Sequence, residues 1–272
     1  TAGIINIVLK KNFNRGLNGV ASIGYSTKYK NNAGVSLDFK KNKINFTSSY
    51  NYRFHESYRG GETNRNNLFD DYSNFIFSKN DSKFKRFSGN INLGLDVDVI
   101  DKATISFGNV VTGNGGPRDE INYTNFYDSD ELYYGGFART SDGNRKSYNN
   151  NSTFNYAQKF KNKGQLLNVS ANFVIGKSLN NKDYMQLNYD EDEFPIELIP
   201  QQEFNSSIEK NIESSIQADY THPFKKHGEL EAGIKLTYRE FYSDFYADSL
   251  DRSIQETIYN ADLSNSFLYN EI

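Results

Sequence analysis

Hydrophobic and polar residues alternate with a period of two along most of this chain, the signature of strands with two unlike faces. The cleanest run sets Phe87, Ile91, Leu93, Leu95, Val97 and Val99 against Ser88, Asn90, Asn92, Gly94, Asp96 and Asp98. Ala33, Val35, Leu37 and Phe39 oppose Gly34, Ser36, Asp38 and Lys40, and Ile44, Phe46, Tyr50, Tyr52 and Phe54 oppose Asn45, Thr47, Ser49, Asn51 and Arg53. Leu167, Val169, Ala171, Phe173 and Ile175 form another such face, as do Leu230, Ala232, Ile234, Leu236 and Tyr238. Looser alternation predicts strands over about 17–26, 103–113, 151–160 and 214–224, and a tenth begins near Asn265.

Four tight basic turns join these strands in pairs. They are Phe39-Lys40-Lys41-Asn42-Lys43, Ile100-Asp101-Lys102, Phe160-Lys161-Asn162-Lys163-Gly164 and Phe224-Lys225-Lys226-His227-Gly228, and their centres recur every 60, 61 and 64 residues. Between hairpins lie long polar segments, roughly 56–82, 116–146, 178–208 and 243–264, which read as loops. Gly113-Asn114-Gly115-Gly116-Pro117 reads as a turn at an outer strand end, since no helix pattern follows to hold a phosphate. The predicted fold is all-β: part of an antiparallel transmembrane β-barrel, an up-and-down meander with short periplasmic turns and long external loops. Strands of ten or more residues are long enough to cross a bilayer at a tilt. A soluble sheet with one face on a core shows the same alternation, but long structureless loops are uncommon in compact domains.

Composition narrows the choice. The chain is 36% hydrophobic with a mean hydropathy of -0.75 and has no apolar run of about 18 residues, which excludes a helical membrane protein. A barrel tolerates such polarity, because only alternate residues face lipid. Twenty tyrosines and 21 phenylalanines argue against disorder. A net charge of -3 with dispersed basic residues gives no reason to expect nucleic acid, and the absence of cysteine removes disulfides and thiolate metal sites. Phe39, Phe160 and Phe224 precede basic turns, while Tyr25, Tyr50, Tyr52, Phe54 and Tyr238 lie towards the opposite strand ends, as two interfacial girdles would.

The first eleven residues differ in kind. Ile4 to Leu9 is nearly continuous in Ile, Val and Leu apart from Asn6, as in a strand buried on both faces, and a polar hinge follows at 12–16. Gly3-Ile4-Ile5-Asn6-Ile7 with Lys10-Lys11 resembles the end of the plug domain of TonB-dependent outer-membrane receptors. Tyr220-Thr221-His222-Pro223-Phe224 with Leu230-Glu231-Ala232-Gly233-Ile234-Lys235 resembles a hairpin in the outer-membrane β-barrel subfamily of those receptors. By that resemblance, residues 1–11 are the last plug strand and residues 17–272 the N-terminal part of an incomplete barrel. The resemblance implies a 22-stranded barrel that imports a scarce nutrient with energy from the TonB complex, through a plug region outside this sequence. The chain begins at Thr1 and ends at Asn270-Glu271-Ile272 without a closing turn, and is expected to be a fragment.

No enzyme signature is found, and no cofactor is expected. His55, His222 and His227 lack metal-ligand spacing, and His55 reads as solvated or as a lumen-side group near a loop. Asp128, Asp130 and Glu131, and Asp190 and Asp192 within a second acidic run, are candidate Ca²⁺ ligands or solvated acidic loops; neither run has the spacing of an EF-hand. Tyr123, Phe126, Tyr127, Tyr133, Tyr134, Phe137 and Arg139 are candidate ligand contacts, or else an extension of a hairpin. The expected function is energised nutrient uptake in the outer membrane, with membrane lipid as one partner and the nutrient unidentified. A passive porin-like or structural barrel is the alternative. Expressed alone, the chain should aggregate or require detergent; a monodisperse soluble monomer with a cooperative melt would overturn the membrane assignment.

Overall fold

Residues 16–27, 29–68, 73–224, 228–251, 255–261 and 263–271 are described by the structure, a computed structural model. The expected plug segment, the hinge up to Arg15 and the turn residues Lys225 to His227 lie outside them. Eleven strands form one sheet: β1 (Gly16–Ser26), β2 (Lys30–Lys41), β3 (Ile44–Leu68), β4 (Ser73–Ile100), β5 (Ala103–Tyr127), β6 (Tyr133–Lys159), β7 (Leu166–Tyr189), β8 (Gln201–Pro223), β9 (Glu229–Asp251), β10 (Glu256–Tyr259) and β11 (Asn265–Glu271). Every neighbouring pair is antiparallel and the order is sequential from β1 to β10. The tenth strand is split, because β10 and β11 both pair with β9. Between them the Ser264 hydroxyl accepts from Ala247 N–H and donates to the Asn260 carbonyl, which ties down the interruption.

The long segments expected to be loops are mostly strand. β3 to β9 run 23 to 28 residues each, and β3–β4 keeps one register from Ile44↔Val97 to Leu68↔Ser73. Sequence reading missed these extensions because both of their faces turn polar, which erases the hydrophobic half of the alternation. Gly113 to Pro117 likewise forms part of β5 rather than a turn. Pairing with β4 lapses opposite Lys85 and Arg86, where Pro117 has no N–H to donate. Gly116 there has φ 145°, and a Cβ on it would run into the Lys85 carbonyl, so glycine is required.

Pairing fixes which residues share a face, and the result matches the alternation on every strand. One row runs Ile44–Val97–Ile105–Tyr156–Val169–Ala218–Ile234. Its face carries Ile91, Leu93, Leu95, Phe173 and Leu236, while Asn90, Asn92, Asn168, Asn172 and Lys235 occupy the other. Among the described residues nothing covers the apolar face: Ile23 is 90% exposed and Leu236 67%. Among the described residues, Ala103 and Ala247 are the only buried hydrophobic side chains, so no soluble core exists. No helix among them is long and apolar enough to cross a membrane, which says nothing of crossing by strands.

The row is not level. Its distance from the short turn grows from about two residues in β3 to about eight in β8, or about one residue per strand. A stagger of about 3.3 Å per strand spacing of about 4.8 Å corresponds to a tilt of about 35°, within the range of membrane barrels. The apolar band follows the turns rather than the rows. From β3 to β9 the first Asp, Glu, Lys or Arg on the outer face is Glu56, Lys85, Asp119, Lys146, Lys177, Lys210 and Glu240. Each lies about 14 to 18 residues from the centre of its own turn, leaving a tilted apolar stretch of about ten residues and a band about 25 Å tall.

Aromatics mark both rims, with Phe39 and Phe46 paired near the turns and Phe54 and Phe87 4.7 Å apart at the upper edge. Within the band, the Asn109 amide donates to Asn150 Oδ1 and Ser152 Oγ, both at 2.8 Å, so these outward polar groups satisfy one another.

Substitutions at adjacent positions test the face assignment. Leu93→Arg, on the outer face, should cost about 2–4 kcal/mol of barrel stability in lipid. Asn92→Arg, which loses only a 2.8 Å bond to Ser49 Oγ on the inner face, should cost much less. Equal losses in a bilayer refolding titration would refute the inside-outside assignment.

Candidate functional site

The inner face carries polar side chains from β1 to β9, and two regions of it are organised. The first lies above the apolar band, where β5, β6 and β7 continue beyond the membrane. Glu120 on β5 is opposite Ser141 on β6, which is opposite Tyr184 on β7. Ser141 and neighbouring Gly143 keep β6 low, so Lys182 on β7 reaches across it to Glu120 Oε2 at 3.4 Å. Glu120 Oε1 meets Arg118 at 3.4 Å and accepts from the Asn80 amide at 3.0 Å. Next to this, the Arg139 guanidinium lies 4.2 Å from the Tyr184 ring centroid and 3.4 Å from Glu203 Oε2, and Lys182 lies 4.7 Å from the same ring. Burial alone would raise the Glu120 pKa, but the Asn80 hydrogen bond and the charges of Arg118 and Lys182 outweigh it and hold the carboxyl below its ordinary value.

The second region lies lower, on the inner wall of β1 to β5. Lys30 is opposite His55, and His55 is opposite Arg86. Arg53 sits one inner position below His55, between Asn32 and Ser88. Two cavities of about 450 and 480 Å³ share Asn32 and Arg53, and neither is lined by an Asp or Glu. Arg86 donates to Asn114 Oδ1 at 3.4 Å, and the His55 ring meets Phe84 edge-on at 5.7 Å while its buried Nδ1 has no partner. Of this group, only His55 stood out from the sequence; the arginines read as ordinary polar-face residues until pairing brought them together.

The aromatic candidates do not form one patch. Phe126, Phe137 and Arg139 lie on the inner face, and Tyr123 on the outer. Phe126 lies 6.0 Å from the Tyr134 ring and 6.1 Å from Phe137, whereas Tyr127 and Tyr133 pair separately at 5.9 Å. This is the hairpin-extension arrangement, with Arg139 drawn into the Glu120 region.

The acidic candidates have a structural task. Asp128-Ser129-Asp130-Glu131-Leu132 and Asp190-Glu191-Asp192-Glu193-Phe194 form matching hairpin tips. In each, the first Asp accepts two backbone N–H bonds through Oδ1, from Asp130 and Leu132 at 2.9 Å, and from Asp192 at 3.1 Å and Phe194 at 2.8 Å. Glu131 and Glu193 both adopt positive φ, near 61° and 64°. The repeated acidic pattern therefore encodes a turn in which the side chain caps the backbone. Among the described residues no group of three or more His, Asp or Glu is placed to hold a metal ion.

Residues 158–272 match the model of the outer membrane protein beta-barrel family. No curated protein matches the chain. The match begins at the end of β6 and covers the remaining strands. It agrees with the tilted, two-faced sheet, and the protein resides in the outer membrane.

The lowered Glu120 pKa gives a signed pH dependence. A depressed carboxyl contributes stability above its unfolded pKa and loses it as pH falls through the lowered value. Amide protection over 118–122 and 139–143 should therefore hold at neutral pH and decline in acid. Glu120→Ala, which strands two cations, should cost about 1–2 kcal/mol at neutral pH. Hydrogen exchange that is insensitive to both changes would dismiss the network as a support of the extension.

Proposed function

We propose that the protein is an outer-membrane transporter that takes up a scarce nutrient with energy delivered through TonB, the described strands forming part of a larger plugged barrel. The observation that carries this reading is the plug-like segment Gly3 to Lys11 directly ahead of the first strand. The open sheet supports it. Among the described residues β1 pairs only with β2, and β10 and β11 pair only with β9, so the described sheet has two free edges. Unpaired backbone groups in hydrocarbon cost several kcal/mol each, so the working barrel requires further strands. A barrel of more than ten strands encloses a lumen wide enough for an aqueous path or a plug.

In this reading the strands supply a wall and a route rather than catalysis, and no cofactor or nucleic acid takes part. Membrane lipid contacts the outer face, and the TonB complex engages the plug region. A passive pore would use the same polar wall, and the two differ in whether the lumen is blocked at rest. The full-length protein in planar bilayers should conduct little KCl, and deletion of the sequence through Lys11 should open a steady conductance. Steady conductance from the intact protein would reject the plugged transporter in favour of a passive pore.

A further inference from the structure

From the inner wall of β1 to β5 we infer a binding site for a small, hydroxyl-rich anion whose carboxylate or phosphate is held by Arg53 and Arg86. The inference rests on the transporter reading for the solute's route, and on the wall itself for its chemistry.

Several observations converge. Lys30, Arg53 and Arg86 are clustered by pairing on β2, β3 and β4, and no carboxylate lies within 4 Å of them among the described residues. Among the other described inner-face cations, Arg118, Arg139, Lys182 and Arg239 meet glutamates, whereas Arg59, Arg65, Arg145 and Lys235 do not; Arg53 and Arg86 are joined in lining one cavity that has no Asp or Glu. Like charges placed together without a counterion repel, and an entering anion relieves that repulsion. The cavities between these cations, each near 450 to 480 Å³, are the right size for a small solute.

Their remaining polar lining suits hydroxyl groups. Ser22, Asn51, Ser88, Asn90, Thr112 and Asn114 supply amides and hydroxyls, which donate and accept, as a sugar or polyol requires. A guanidinium presents parallel N–H donors that fit a carboxylate or phosphate two at a time. The lapse in β4–β5 pairing opposite Gly116 and Pro117 falls beside Arg86, and Gly116 brings no side chain to crowd it. His55 adds a ring nitrogen, Nδ1, that lacks a partner beside the same cations.

The site also lies where a solute would arrive. Arg53, His55 and Arg86 are level with Phe54 and Phe87, at the upper edge of the apolar band on the side away from the short turns. A solute descending between the extended hairpins meets these cations just as it reaches membrane depth.

Isothermal titration of the full-length protein in detergent, at fixed ionic strength, tests the inference with three probes: a hexuronate, a hexose phosphate and the neutral hexose. At least one anion should bind, with the neutral sugar at least tenfold weaker, and the preferred anion identifies the group recognised. Arg53→Gln with Arg86→Gln should weaken binding at least tenfold, while the paired Lys variants retain part of it. Lys235→Gln, on the inner face of β9, should leave it unchanged. Heat-modifiable migration of each variant confirms that its barrel is folded. Equal affinity for neutral and charged sugars, indifference to the double Gln variant, or no binding of either anion would overturn the site. Binding at equilibrium needs no energy coupling, so a conducting, unplugged protein that still binds the anion defeats the transporter reading and leaves the site standing.

Discussion

Everything in this molecule follows from the need to pair every backbone N–H and C=O inside hydrocarbon, where water cannot substitute. Antiparallel neighbours meet that need with each strand joined to the next. Pairing then locks side chains into two sets, and a slip of one residue would turn the apolar set inward. The stagger of about one residue per strand tilts the sheet. It also explains why the apolar band tracks the turns rather than the hydrogen-bonded rows: lipid imposes a height, and pairing imposes a slope.

The same ladders continue above the band, where water removes the backbone constraint and side chains take over its role. Long antiparallel hairpins in water need cross-strand pairs to stay ordered. Glu120, with Lys182 reaching it over Ser141 and Gly143, provides one such tie across three strands. Asp128 and Asp190 provide another kind by capping the tips with their carboxylates. Glu56 belongs to this zone as well: hydrogen bonds from Tyr58 at 2.6 Å and Lys83 at 3.0 Å lower its pKa and stabilise the charge just outside the apolar band.

The inner wall carries one cluster of paired charges and one of unpaired cations. Around Glu120, opposite charges meet at 3.4 Å and neutralise each other. Around Arg53 and Arg86, cations share a wall with amides and hydroxyls and with no carboxylate. Two such regions on one continuous surface have different consequences. The first holds the extended hairpins together, and the second presents a field to whatever enters the lumen.

By itself the sequence determined the all-β class, the faces of the membrane-crossing strands and the positions of the short turns. Those properties are local: a period of two, and a turn composition, are written in adjacent residues. Leu93 and Asn92 could be assigned to opposite faces without knowing any partner strand. The extensions of β3 to β9 were not legible, because strands with two polar faces in water carry no hydrophobic period to read. Gly116 and Pro117 looked like a turn because their composition is that of a turn, and only the lapse in β4–β5 pairing showed that a strand can pass through them. Asp128 and Asp190 read in the sequence as candidate metal ligands or solvated acidic loops; that each carboxylate accepts two backbone N–H bonds at a hairpin tip is visible only in the structure. The cluster of Lys30, His55, Arg53 and Arg86 was decided by register alone, since it joins residues from three strands whose proximity depends on which residues pair.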